Sequence, residues 1–181
     1  MKLEELLAQK KSPILERWFQ LLLETYPAET ARFLKREENR FANPVGHTLY
    51  QGMQGIYEEL LNGMASDKIN VFLDPIVRVR AVQDFSPARA VAFIFFLKRA
   101  IREELAGEMR EGQTALGDFL DLESRIDDLA LYSFDLYMEC RRKIYEIRVN
   151  EIKRRTSRLL QRTNLLAESP EPGPEQDGLR T

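Results

Sequence analysis

Apolar residues recur every three or four positions along most of the chain, which is the period of an α-helix that buries one face. Before the C-terminal tail, four prolines directly follow a Ser, Asn or Asp residue. Such a side chain can accept a hydrogen bond from a free backbone N–H of a first helical turn, and proline suits the first helical position. We therefore expect helices to begin at these points. The pairs are Ser12-Pro13, Asn43-Pro44, Asp74-Pro75 and Ser86-Pro87.

Two of these predicted helices have unusual patterns. The stretch IVRVRAVQ at residues 76–83 alternates apolar and charged residues, as a strand would. Because its surroundings are helical, we predict a helix with Ile76, Val79 and either Val82 or Gln83 facing inward. The stretch AVAFIFFL at residues 90–97 is apolar on nearly every side of a helix, so we expect other helices to surround it at the centre of the core.

From about Thr114 to Leu166 the sequence has no proline, and Gly117 is the only glycine. We therefore predict one very long helix here, or two collinear helices. A core-facing stripe is predicted first. It comprises Phe119, Leu122, Ile126, Leu129, Leu136 and Cys140. The spacing then changes to alternating steps of four and three, which is a heptad pattern of about three repeats. Its d positions are Tyr145, Ile152, Leu159 and Leu166, and its a positions are Val149, Thr156 and Thr163.

The heptad segment is strongly basic. Residues 141–162 hold nine Lys or Arg against two Glu, and Arg148, Arg155 and Arg162 occupy the g positions beside the apolar line. In a parallel homodimer Arg148 would meet Lys153 of the other chain, and like charges at these positions disfavour pairing. A protein partner with an acidic helix is therefore expected, although a homodimer stays open, as does a helix that fits the heptad pattern by chance. The predicted partner-binding residues are Tyr145, Arg148, Val149, Ile152, Arg155, Leu159, Arg162 and Leu166.

Together these patterns predict an all-α fold with one helical bundle and a long C-terminal helix that extends out of it. We divide the chain into a helical domain at 1–140, a basic linker helix at 141–167 and a tail at 168–181. The tail is rich in Pro, Gly and acidic residues, a composition typical of disorder.

Composition argues against an enzyme. The 181 residues include 27 Lys plus Arg and 29 Asp plus Glu, with one Cys and one His. A single Cys140 cannot form an intramolecular disulfide, and a single His47 cannot supply a histidine-rich metal site. The chain also has none of the glycine-rich phosphate loops, zinc-binding pairs or nucleophile elbows that mark common catalytic sites. We predict no catalytic residue, no metal and no cofactor.

The location predicted from sequence is the cytoplasm. The most apolar stretch has eight residues, whereas a membrane-spanning helix needs about 20, and the N-terminus lacks the features of a secretory signal. A nucleic-acid partner is not expected because the overall charge is −2 and no recognition motif is present. The basic helix nonetheless leaves peripheral association with an anionic membrane open.

Three stretches resemble a known family. They are ILERWFQLLLETYP at 14–27, RFANPVGHTLYQGMQGIYEELL at 40–61 and DPIVRVRAVQDFSPARAVAFIFFLKRAIREEL at 74–105. The family is that of N-terminal domains typified by RsbRD, a co-antagonist of the switch kinase RsbT in the stressosome pathway, and the likeness covers about residues 5–150. The resemblance implies an all-helical input domain, with a globin-like arrangement that binds no haem in related sensors. This sequence ends soon after its linker helix, without room for an output domain, so we expect a stand-alone module that signals to another polypeptide.

The leading hypothesis is thus a non-catalytic bacterial signalling module that acts through its C-terminal helix. A second hypothesis is a globin-like sensor that binds haem or another ligand, with His47 as ligand and an aromatic cavity. The aromatic residues are Phe93, Phe95, Phe96, Tyr132, Phe134 and Tyr137, which are also typical of a plain core. A third is an accessory subunit of a membrane or redox complex. Cys140 could sense redox state if exposed, although a buried structural thiol is the more common case.

Overall fold

The computed structural model describes residues 2–35, 41–63, 66–110 and 116–167, and these residues form helices without any strand. The all-α prediction is confirmed. The chain divides into two compact units, residues 1–142 and 143–181. The domain limits drawn from the sequence stay a prediction, and the tail at 168–181 lies outside the described residues. The helices are α1 Leu3–Gln9, α2 Lys11–Leu23, α3 Ala28–Lys35, α4 Pro44–Leu61, α5 Ser66–Val82, α6 Pro87–Glu104, α7 Ala106–Arg110 and α8 Leu116–Ala167.

Two of the predicted helix starts are confirmed. Asn43 precedes α4, and its side-chain oxygen accepts a hydrogen bond of 2.8 Å from the backbone N–H of Gly46. The amide group of the same Asn43 donates to the carbonyl of Leu34 at 2.9 Å, which ties the end of α3 to the start of α4. Ser86 caps α6 by accepting from the backbone N–H of Arg89. Both starts depend on contacts within a few residues, which a local sequence pattern can report.

The other two starts are wrong. Helix α2 begins at Lys11, so Pro13 is its third residue, where a missing N–H costs nothing because the first four N–H groups have no intrahelical partner. Helix α5 begins at Ser66 and passes through Pro75, which lacks the donor for one internal hydrogen bond. The helix persists on both sides because it buries one continuous face. That face comprises Ile69, Leu73, Ile76, Val77 and Ala81.

Helices α4 and α5 pack at very short range. A Cβ atom built on Gly52 would lie 2.8 Å from the backbone oxygen of Phe72, and one built on Gly55 would overlap the ring of Phe72. These glycines weaken α4 as an isolated helix. They are accommodated because α5 occupies the space that side chains would fill.

The inner face of α5 differs from the prediction. Ile76 is buried as expected, but Val82 is 72% exposed and Gln83 is exposed as well. The positions predicted for them are filled by Arg80 and Ala81, both fully buried. Arg80 is therefore a core residue, although arginine is among the residue types that are rarely fully buried.

Helix α6 has one buried face and one partly exposed face, so the prediction that helices surround it on all sides is wrong. Its buried face includes Phe93, Ile94 and Leu97, whereas Phe95 is 48% exposed. The rings of Trp18 in α2 and Phe93 are stacked with their centroids 6.3 Å apart. The indole N–H of Trp18 also donates to the Phe93 carbonyl at 2.5 Å. This pair holds α2 against α6 in the core.

Within the first unit, α8 buries the predicted stripe only as far as Leu129. Phe119, Leu122 and Ile126 are also buried, but Leu136 and Cys140 are half-buried. Two polar residues of α8, Ser133 and Tyr137, continue the buried row instead. Ser133 satisfies its hydroxyl by donating to the carbonyl of Leu129 at 2.7 Å, and Tyr137 contacts the turn between α5 and α6. Tyr137 is accommodated there because its hydroxyl binds the Phe85 carbonyl of that turn, whereas Ser133 binds a carbonyl of its own helix.

Candidate functional site

The first unit holds a buried arginine at the end of α5. The Nε–H of Arg80 donates to the carbonyl of Ala90 at 3.0 Å, and its Nη2 donates to the carbonyl of Arg89 at 2.7 Å and to the hydroxyl of Thr25 at 3.2 Å. Its guanidinium carbon lies 4.2 Å from the ring centroid of Phe85. Neutral carbonyls, a hydroxyl and an aromatic face therefore surround a buried positive charge.

A second arginine lies beside this charge. Arg89 places its guanidinium carbon 5.1 Å from the same Phe85 ring and donates to the carbonyl of Thr25 at 2.8 Å. Within the described part of the chain, neither Arg80 nor Arg89 forms an ion pair with a carboxylate. Burial lowers the pKa of Arg80, and the nearby positive charge of Arg89 lowers it further. The two charges together form a positively charged region in which, among the described residues, neither arginine is paired with an acid.

The α5–α6 turn, residues 83–86, connects this region to α8. Asp84 adopts a φ of 64°, a left-handed conformation that Asp tolerates better than most residues. Its carboxylate accepts a hydrogen bond of 2.5 Å from Arg141, which also donates to the carbonyl of Ala81 at 3.1 Å. Tyr137 donates its hydroxyl to the carbonyl of Phe85. Two side chains of α8 thus bind the backbone and the acid of this turn.

A cleft of about 340 Å³ opens next to the turn, between the α2–α3 connection and the start of α6. Its walls include Thr25, Tyr26 and Phe85, all of which contact Arg80. Asp84 and Arg89 also line it. Arg80 therefore lies directly behind the wall of a solvent-accessible cleft.

The second unit carries the predicted partner-binding residues of α8, which we call the seam. The d and a positions Tyr145, Val149, Ile152 and Leu159 are all exposed, with 63% of the Ile152 surface accessible. Arg148, Arg155 and Arg162 are exposed on one flank. The backbone of Leu166 belongs to α8, but its side chain lies outside the described residues.

The two threonines at a positions of the heptad line satisfy their own hydroxyl groups. Thr156 donates to the carbonyl of Ile152 at 3.0 Å, and Thr163 donates to the carbonyl of Leu159 at 2.6 Å. Because each hydroxyl is bound within its own helix, it needs no hydrogen-bond acceptor from a partner helix. Threonine is therefore less unfavourable at these a positions than its polarity suggests.

The turn and its arginines were not predicted as a site from the sequence. Arg80 continues the row of Ile69, Leu73 and Ile76 at helical spacing, but the inward positions predicted after Ile76 were Val79 and either Val82 or Gln83. The sequence also contained the aromatic residues Tyr26 and Phe85 that contact it, but it carried no sign of their proximity. The signal existed in the pattern, whereas the contacts that explain it are formed by residues far apart in the chain.

The remaining candidate residues have simpler surroundings. His47 is half-buried in the first turn of α4, where its backbone N–H donates to the carbonyl of Asn43. In the regions that the structure describes, no three His, Cys, Asp or Glu residues lie close enough to hold a metal ion. Among the same residues, no helix has the length and apolar character needed to cross a membrane.

Comparison with known proteins identifies the family. The model of the RsbT co-antagonist protein rsbRD N-terminal domain matches residues 12–152, which is most of the chain and includes α2 to α6 and much of α8. The chain belongs to this family. These are regulatory signalling domains, which indicates an input domain of stress-signalling co-antagonists. No curated protein matches the chain. No solved structure matches it either, so the globin-like arrangement stays a prediction.

Proposed function

We propose that this member of the RsbRD N-terminal domain family is a non-catalytic regulatory domain that binds a protein partner through the seam. The observation that carries the proposal is the line of exposed apolar side chains on the second unit. Tyr145, Val149, Ile152 and Leu159 follow a heptad spacing, and all are exposed. A heptad line of this kind is stabilised when another helix covers it.

The charges beside the seam support an acidic partner helix. Arg148, Arg155 and Arg162 lie on one flank, and Lys153 lies on the other. Arg155 forms an ion pair of 2.5 Å with Glu151 along its own helix, but both side chains are more than half exposed, so this pair is readily exchanged. Glutamate residues flanking a partner's apolar line would face several arginines at once and favour this pairing over self-association.

The experiment compares two isoleucines of nearly equal exposure on opposite faces of α8. Ile152 lies on the seam and is 63% exposed, whereas Ile147 lies at the f position and is 68% exposed. The probe is a synthetic helical peptide with Leu at its a and d positions and Glu at its e and g positions. Its affinity for the full chain is measured by fluorescence anisotropy, and self-association of the chain is followed by analytical ultracentrifugation.

We expect Ile152→Gln to weaken peptide binding by about tenfold. Full burial of an isoleucine is worth about 2–3 kcal/mol, and the exposed fraction of Ile152 leaves roughly 1.5 kcal/mol available to a partner. Ile147→Gln should leave the affinity within about twofold. Equal losses in both variants, or no measurable binding by the wild-type chain, would contradict the proposal. Self-association that is tight and lost in Ile152→Gln would instead make a second copy the partner.

A further inference from the structure

We propose that the cleft beside the α5–α6 turn is a binding site for a small oxyanion, a phosphate or carboxylate group of a soluble ligand. The site belongs to the first unit and does not depend on the partner proposed for the seam. Three features of the cleft support it: an uncompensated positive charge, a neutralised acid, and hydrogen-bond donors on its wall.

The positive charge comes from Arg80 and Arg89. Arg80 is fully buried, and in the described regions neither arginine pairs with a carboxylate. A buried charge surrounded by carbonyls, hydroxyls and rings is stabilised further by an opposite charge nearby, because the protein interior screens that attraction less than water does. An anion in the cleft would supply that charge.

The one acid in the cleft wall does not cancel this preference. The carboxylate of Asp84 accepts a hydrogen bond of 2.5 Å from Arg141, so its charge is already balanced from the α8 side. Counting Arg80, Arg89 and Arg141 against Asp84 leaves an excess of two positive charges around the cleft. A cationic ligand would be repelled, and a neutral one would gain nothing from these charges.

The donors that can reach an anion are the guanidinium of Arg89 and the hydroxyl of Thr30, which both line the cleft. Arg89 is exposed, and the hydrogen bond that its Nη2 makes to the Thr25 carbonyl leaves other guanidinium N–H groups available. The hydroxyls of Thr25 and Tyr26 are less suitable as donors, because they donate to the Leu22 carbonyl and to the Gln83 side chain. A planar guanidinium suits a phosphate or carboxylate because it can donate two parallel hydrogen bonds.

The test uses the full chain labelled with ¹⁵N. Inorganic phosphate and acetate are titrated separately against sodium chloride at the same ionic strength, and the amide and arginine Nε–H signals are recorded by NMR. We expect saturable shifts at residues lining the cleft, with a dissociation constant in the millimolar range. Tighter binding of phosphate would indicate a phosphorylated ligand and tighter binding of acetate a carboxylate ligand, and either result supports the site.

Two variants and a control make the result specific. Arg89→Gln should weaken binding by at least about tenfold because it removes a charge-assisted pair of donors. Thr30→Val keeps the shape of the side chain and should weaken binding by about threefold, which provides a second test if Arg89→Gln perturbs the fold. Arg158→Gln removes the same charge from an exposed position of the second unit and should have no effect. The proposal is overturned if neither anion gives saturable shifts up to about 50 mM, or if Arg158→Gln weakens binding as much as Arg89→Gln.

Discussion

Replacing Arg80 by lysine keeps the buried charge but removes the geometry that accommodates it. The guanidinium donates to the carbonyls of Ala90 and Arg89 at 3.0 and 2.7 Å, and to two hydroxyls, those of Thr25 and Tyr26, at 3.2 and 3.4 Å. These four bonds come from three different nitrogen atoms. A lysine ammonium has a single nitrogen, so it cannot occupy all three donor positions. It also lacks the flat guanidinium group, whose carbon lies 4.2 Å from the Phe85 ring centroid. The variant therefore leaves a buried charge with fewer partners.

The expected cost follows from the number of bonds lost. If Arg80→Lys loses two of the four hydrogen bonds, each worth about 1.5 kcal/mol or more for a charged donor, the first unit loses about 3 kcal/mol or more of unfolding free energy. The matched control is Arg78→Lys on the same helix. Arg78 is exposed and pairs with Asp74 one turn away, an ion pair worth about 0.3–0.5 kcal/mol.

Urea denaturation provides the measurement. Trp18 is the single tryptophan and is fully buried against Phe93, so its fluorescence reports unfolding of the first unit. Far-ultraviolet circular dichroism follows the helices in parallel. We expect the two variants to differ by at least about 2 kcal/mol at an unchanged dependence on urea. If Arg80→Lys and Arg78→Lys agree within about 0.5 kcal/mol, the argument that this guanidinium organises the turn is refuted.

Two further predictions concern the core and the contact between α2 and α6. Gly52→Ala places a Cβ atom 2.8 Å from the Phe72 carbonyl oxygen, whereas a Cβ atom at Gly107 meets no atom within 4 Å. Gly52→Ala should therefore destabilise the chain by about 2 kcal/mol relative to Gly107→Ala. Equal thermal unfolding of the two variants would contradict this close packing. Hydrogen bonds from Arg17 and, to a lesser extent, Arg99 lower the pKa of Glu103 to about 2. This carboxylate therefore stabilises the fold above its usual pKa of 4.5 and loses that effect as pH falls toward 2. The stability difference between wild type and Glu103→Gln should therefore shrink over that range in acid titrations, and a difference independent of pH would argue against the pair.

The helix ends show where sequence reasoning succeeds. Asn43 and Ser86 cap helices that begin one residue later, because the capping bonds are made to backbone N–H groups only three positions away. Pro75 followed the same pattern after Asp74 and yet lies inside α5. The burial of α5 against α4 outweighs the lost hydrogen bond there, and that burial depends on Gly52 and Gly55, which are about 20 residues away.

The candidate sites divide in the same way. The seam was readable because the spacing of Val149, Ile152 and Leu159 is a property of one helix, and the structure adds that these side chains are exposed. The cleft was not readable, because its arginines, aromatic rings and acid come from separate parts of the chain.

The sequence alone determined that this protein is helical, where two of its helices begin, and that its last long helix carries a basic heptad line. These properties depend on interactions within a few residues, which the local order of side chains specifies. The tertiary structure decided that α5 continues through Pro75 and that Arg80 is buried. It also decided that Tyr137 and Arg141 bind the α5–α6 turn. Those outcomes depend on which distant surfaces meet, because the free energy of burying a proline-containing helix or a charge is set by the neighbours that surround it.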